Sequence, residues 1–260
     1  MQSSYKQEDL FSRIEGTLDS VRSRYGVPGS VLKYLAVLSM LVDHTGATFV
    51  RKYTSLTAGT NTPEMRLFLK DLYFYMRRLG RLAFPIYCFL IVEGLLHTRN
   101  AQKYAFRLFL FALISEFPFD YALHPNQPFM TKQNVYFTLL IGLLVLIGIR
   151  ELYGRIPLQL ILMITGMFAA KLLNTDYNYK GVFIIEMLYI TRFSPLLQSG
   201  CGASFMQYYE KMPTPFAFIP IYLYNGKRGR QPKYFFYFFY PAHLIILGIL
   251  TNIVLPRMVR

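Results

Sequence analysis

The sequence predicts an all-α fold: a polytopic integral membrane protein with about eight or nine transmembrane helices. Three observations carry that expectation. Tyr234 to Leu255 is a 22-residue run without Asp, Glu, Lys or Arg, long enough to cross a bilayer. Gln133–Ile149 and Ile156–Ala170 are further charge-free runs that flanking residues extend towards spanning length. Lys and Arg gather at the ends of such runs, where they anchor to headgroups and set topology. The same clustering accounts for the formal charge of +14, which in a soluble chain would point to nucleic acid. Membrane lipid and an anionic ligand are therefore the expected partners, and nucleic acid is not. Cys88 and Cys201 show no C-x-x-C pattern, so neither a disulfide framework nor a metal site is expected.

Met1–Ser30 is a polar arm of mixed charge without the apolar core of a signal peptide, and residues 31–260 read as a single membrane domain. The first span, Val31–Val50, carries Lys33 near its start and Asp43-His44 deep inside. On a helix Lys33 and His44 return to almost the same face, about 16 Å apart along the axis, on a stripe through Val37 and Met40. Asp43 points about 100° away, onto a narrow face with Ala36, Ser39 and Ala47. Arg51–Arg81 is a long connection with a turn signal in TAGTNTPE, and its segment Met65–Met76 has the spacing of a helix on the membrane surface. The second span, about Leu82–His97, holds Pro85 in its first turn and Glu93 well inside. The third, about Tyr104–Ala122, holds Arg107, Glu116 and Asp120; the two acids are neighbours where the helix persists through Pro118. Asn134–Ile149 and Ile156–Leu173 follow. Gly181–Ile190, with Glu186, is too short to span unaided, and Phe193–Tyr209 and Pro213–Tyr224 are weakly apolar. The last span, Tyr234–Leu255, bends at Pro241. Nine spans put the N-terminus and the run Lys227-Arg228-Gly229-Arg230 on the cytoplasmic side, although Arg51–Arg81, with seven Lys and Arg, then falls outside.

A basic residue, ten intervening residues and a His on the first span resemble the motif of the transmembrane acyltransferase-three superfamily. Asp43-His44-Thr45-Gly46 resembles its TraX branch, and so do four later blocks. These are GRLAFPIYCFLIVEGLLHT (80–98), RLFLFALISEFPFDYAL (107–123), QNVYFTLLIG (133–142), and NGKRG with KYFFYFFYPAHL (225–229 and 233–244). They run in the family's order across most of residues 31–250; the polar arm is the part the motifs leave out. The resemblance implies an acetyltransferase of the bacterial cytoplasmic membrane, using acetyl-CoA as donor and no metal. The acceptor it implies is a peptide N-terminus, as in acetylation of conjugative pilin, with a glycan or lipid-linked group as the other class.

Acetyl transfer from a thioester needs a base or nucleophile, a held donor, and help for charge on the carbonyl oxygen. His44 is the candidate, either as base for an amine or hydroxyl or as acyl carrier. Asp43 is placed to orient it only through local bending; its structural reading is an ion pair with a neighbouring helix. Glu93, Glu116 and Asp120 are candidates for binding an amine or for ion pairs with Arg78, Arg81 and Arg107. For coenzyme A, the Gly-bounded turn at Asn225 with Lys227 and Arg228, joined by Lys33 and Lys233, suits phosphate oxygens. The plain alternative for that turn is a topogenic loop. His243 and Asn134 are second-site candidates, each with interhelical hydrogen bonding as its structural reading. His97 and His124, near span ends, carry no expected role. Rival classes remain a transporter with Asp43, His44, Glu93 and Glu116 along a proton path, and a structural subunit of a secretion or conjugation assembly. Oligomeric state stays open.

Overall fold

Leu, Ile, Phe and Ala crowd the stretches between Pro-, Asn- and Gly-rich turns, and those stretches form helices. The computed structural model describes residues 16–232 and 234–259. Among them the regular structure is helical throughout, with two isolated bridges, Val27–Tyr224 and Gln133–Thr175. Of the polar arm, residues 16–25 are helical, and residues 1–15 lie outside the described set.

Helix α1 (Gly29–Thr45) starts after Pro28, whose extended ψ of 161° ends the preceding segment. It continues through a π turn (Gly46–Val50) into α2 (Arg51–Leu56). Helix α3 (Pro63–Gly80) has a complete set of start and stop signals. The Thr62 hydroxyl accepts from the Met65 N–H, Pro63 and Glu64 open the first turn, and Arg77 and Arg78 lie in the last. A turn at Arg81-Leu82 leads into α4 (Ala83–His97), so the helix expected over Met65–Met76 packs along α1 and runs on towards the second span. Helix α5 (Ala101–Leu123) persists through Pro118. There follow α6 (Val135–Glu151), α7 (Ile156–Leu172), α8 (Asn178–Ile190), α9 (Pro195–Tyr209) and a short α10 (Phe218–Tyr222). The last stretch, α11 (Phe235–Ile249), runs through a π turn (Leu250–Val254) into α12 (Leu255–Met258).

Among the described residues two stretches are long and apolar enough to cross a membrane, Pro63–His97 and Phe235–Met258; Ile156–Leu172 is a shorter apolar helix. The span count of eight or nine is not reached by that measure. The physical reason is that several helices are short, while others carry ionisable groups inside, such as Lys33 and Asp43 in α1. The 13-residue α8 shows what a short apolar helix is for here. Val182, Ile184, Ile185 and Leu188 are fully buried, so α8 lies at the centre of the core.

Candidate active site

Two cavities open at opposite ends of α1. The first, about 500 Å³, is lined by Asp43, His44, Ala47 and Arg51 from the far end of α1–α2. Arg77 and Arg81, the α5 end at His124, Lys132, Asp176 and Glu210 complete its polar wall. The second, about 650 Å³, lies by Gly29 and Lys33 and is walled by Tyr87, Tyr104, Tyr136, Tyr224, Phe236 and Tyr237.

At the edge of the first cavity His44 pairs with a second histidine behind it, His243. His44 Nδ1 lies 2.6 Å from His243 Nε2, and the two rings are parallel within 2°. His243 is buried, and its Nδ1 lies 2.7 Å from the Phe239 carbonyl oxygen one turn back on α11. Tyr240 packs edge-on to both rings and against Tyr136, so this aromatic cluster stands between the two cavities.

Asp43 faces away from the pair, as its position on α1 dictates, and forms an ion pair with Arg77 of α3. Gly80 makes this approach possible: a Cβ there would run into the Asp43 side chain and backbone. The Ser39 hydroxyl donates to the Leu79 carbonyl oxygen at 2.7 Å, so the small-residue face of α1 is the seat for the end of α3. Two more ion pairs line the cavity, Arg81 with Glu210 and Lys132 with Asp176 at 2.6 Å. That leaves Arg51, bonded to the Leu123 carbonyl oxygen at 3.0 Å, and Lys180, over the Tyr209 ring, as cations without a carboxylate partner in the cavity wall.

In the second cavity the cations meet rings instead. Lys33 Nζ lies 5.6 Å from the Phe236 ring centre, and Arg107 stands over Tyr104. Arg228 joins them, while Glu93, the one carboxylate in the wall, holds the Tyr224 hydroxyl and lies 3.5 Å from His97 Nδ1.

Residues 28–251 match the family model described as TraX protein. The chain belongs to the TraX family. The matched range contains both cavities. A relative from Dichelobacter nodosus, named as a probable fimbrial assembly protein FimC of serogroup H1, is 30% identical over 247 residues, covering 83% of this chain and 92% of that protein. No solved structure matches.

With the family established, the candidate residues sort by what they touch. His44 and His243, 199 positions apart, come together. Lys33 and Arg228 share the second cavity, whereas Lys227 and Asn225 do not line it. Asn225 is occupied in holding the turn: its amide donates to the Gly26 carbonyl at 2.7 Å and its Oδ1 accepts from the Lys227 N–H at 3.0 Å. Towards α1 the turn presents carbonyls: Lys227 O and Arg228 O accept from Gly29 N–H and Ser30 N–H, while the Lys227 N–H is held by Asn225. Lys233 lies outside the described residues. The expected ion pairs of Glu93, Glu116 and Asp120 with Arg78, Arg81 and Arg107 do not form. Glu116 Oε2 accepts from the backbone N–H and side-chain amide of Asn134, at 3.1 and 2.5 Å, and Asn134 also caps α6. Asp120 accepts from the Met130 N–H at 2.8 Å. Arg78 donates to the Met212 carbonyl and packs on Phe74. Both acids therefore fasten loop ends, because the chain after α5 turns back over its last turn. Arg77, Lys132, Asp176 and Glu210 escaped sequence reading. Arg77 carried one signal, a position a single residue from Arg78 at the end of an amphipathic helix; the others sit in or beside turns without periodicity.

Proposed function

We propose that this chain is a multi-pass acetyltransferase of the bacterial cytoplasmic membrane, with the acyl donor in the second cavity and the acceptor in the first. The observation that carries the reading is the His44–His243 pair at the edge of a polar cavity, at the far end of the helix whose near end borders a cationic, aromatic one. Lys33, Arg107 and Arg228 suit the phosphates of acetyl-CoA, and the ring-lined wall suits its adenine and its long apolar arm. When bound, that donor supplies an activated acyl group; His44 supplies the base or nucleophile. The three ion pairs of the first cavity are set before an acceptor arrives, a preorganised environment for developing charge.

Membrane embedding, with eight or nine crossings as the reading, is supported by apolar faces that no other helix covers. Ile161, Ile164 and Phe168 of α7 and Phe106 and Phe117 of α5 are each at least 60% exposed, far more apolar surface than water-facing helices carry. The name of the fimbrial relative, with the family, favours a pilin-related acceptor, a peptide N-terminal amine.

The test is transfer of labelled acetyl from acetyl-CoA to a synthetic pilin N-terminal peptide by purified protein in nanodiscs. Wild type should transfer and shift its melting temperature with coenzyme A, and His44→Gln should do only the second. Absence of both in wild type would favour a transporter.

A further inference from the structure

We propose that His243 is a positioning residue that fixes the tautomer of His44, making Nε2 of His44 the reacting nitrogen. The inference rests on the acyltransferase reading for its chemistry, but its geometry stands independently. A carbonyl oxygen only accepts, so the 2.7 Å contact with Phe239 O requires the proton on His243 Nδ1. A neutral His243 then has a bare Nε2. That nitrogen lies 2.6 Å from His44 Nδ1, so the proton between them belongs to His44 Nδ1. Neutral His44 is left with its lone pair on Nε2. His44 is only partly buried and lines the first cavity, whereas His243 is 5% exposed and absent from the lining. Phe239 stacks on the His243 ring at 4.8 Å and Tyr240 braces both rings from the side, so neither is free to turn over.

The arrangement follows the logic of a histidine oriented by a partner on its other nitrogen, with one difference. The orienting group is a neutral imidazole, because the nearest carboxylate in sequence, Asp43, is turned to the opposite partner Arg77. In the transfer, His44 Nε2 takes the proton from the acceptor N–H or O–H as the acceptor lone pair adds to the thioester carbonyl carbon. The carbon–sulfur bond then breaks, the thiolate leaves with the electron pair, and the proton passes from Nε2 to sulfur. Throughout, the Nδ1–H of His44 stays bonded to His243. Since the Nδ1–H of His243 ends on a backbone carbonyl, His243 positions and does not relay.

Two variants and one spectrum test this. In ¹⁵N-histidine-labelled wild type, the His44 signals, assigned by their loss in His44→Gln, should show a protonated Nδ1 and a bare Nε2. His243→Phe keeps the ring but removes the acceptor. It should lower kcat on the order of 10–100-fold, the usual cost of losing such a partner, with donor affinity unchanged and the His44 proton redistributed to Nε2. His243→Gln, whose amide oxygen reaches the position of Nε2, should restore both the tautomer and most of kcat. A proton on Nε2 of His44 in wild type overturns the proposal even if neither His243 variant folds. So does His243→Phe with wild-type kcat and tautomer, or His243→Gln behaving as His243→Phe in both. Wild type inactive towards every acceptor but with the bare-Nε2 spectrum would instead fault the acyltransferase reading and leave the tautomer assignment standing.

Discussion

The cavity around His44 and the cavity around Lys33 share one helix but hold their charges differently. Around His44 every carboxylate is paired with a cation: Asp43 with Arg77, Glu210 with Arg81, Asp176 with Lys132. Around Lys33 the cations Lys33 and Arg107 face rings, and Glu93 is taken up by Tyr224 and His97. Three cation–carboxylate pairs locked within one wall hold their side chains in place, although Arg51 and Lys180 leave that wall net positive. An unmatched set among aromatics retains its attraction for an anion and offers flat surfaces to stack on. On the acetyltransferase proposed above, the contrast suits chemistry at one end and donor capture at the other.

Substitutions at the two ends should therefore fail in different ways. The largest effect is expected at His44. His44→Gln should cut turnover by about 10²–10⁴-fold in single-turnover assays, with coenzyme A affinity near that of wild type; comparable loss of binding would erase the division of labour. Next, Lys33→Met and Arg228→Met should each weaken coenzyme A binding by roughly 1.5–3 kcal/mol by titration calorimetry, leaving the acceptor KM unchanged. Gly80→Ala should destabilise by about 1–3 kcal/mol in thermal or denaturant melts, since the added methyl must push α3 off Asp43. It should disturb the His44 end before the Lys33 end. The smallest effect is expected for Lys227→Ala, whose side chain is outside the second cavity: a change in affinity within about 0.5 kcal/mol. A loss equal to that of Arg228→Met would restore the whole turn as a phosphate site.

The helical spacing that puts Lys33 and His44 on one stripe was legible, and the stripe faces the core, with Val37 and Met40 buried between them. The divergence of Asp43 from His44 was legible too, as was its seat among small residues. What the sequence did not carry was which helix would meet which. His243 was a candidate because of its place beside Pro241, but its approach to His44 depends on the crossing of α1 and α11. Glu116 and Asp120 looked like partners for arginine because charge in an apolar helix demands compensation. A backbone N–H and the Asn134 amide supply it equally well, and no periodicity announces them. The second role of the basic turn was hidden for a related reason. NGKRG states its charge in the sequence, while the direction of its carbonyls becomes clear only when α1 is placed beside it.

That turn has a consequence for the order in which the molecule can be completed. The first N–H groups of a helix have no partner within the helix. For Gly29 and Ser30 the partners are Lys227 O and Arg228 O, almost two hundred residues later. During synthesis α1 is thus made almost two hundred residues ahead of its partners, and its opening turn stays open until the ribosome has delivered the basic turn. A nascent chain stopped before residue 227 would keep α1 with a frayed beginning, and Lys33, one turn inside, would lack a fixed place. The helix that carries His44 is begun long before it can be finished.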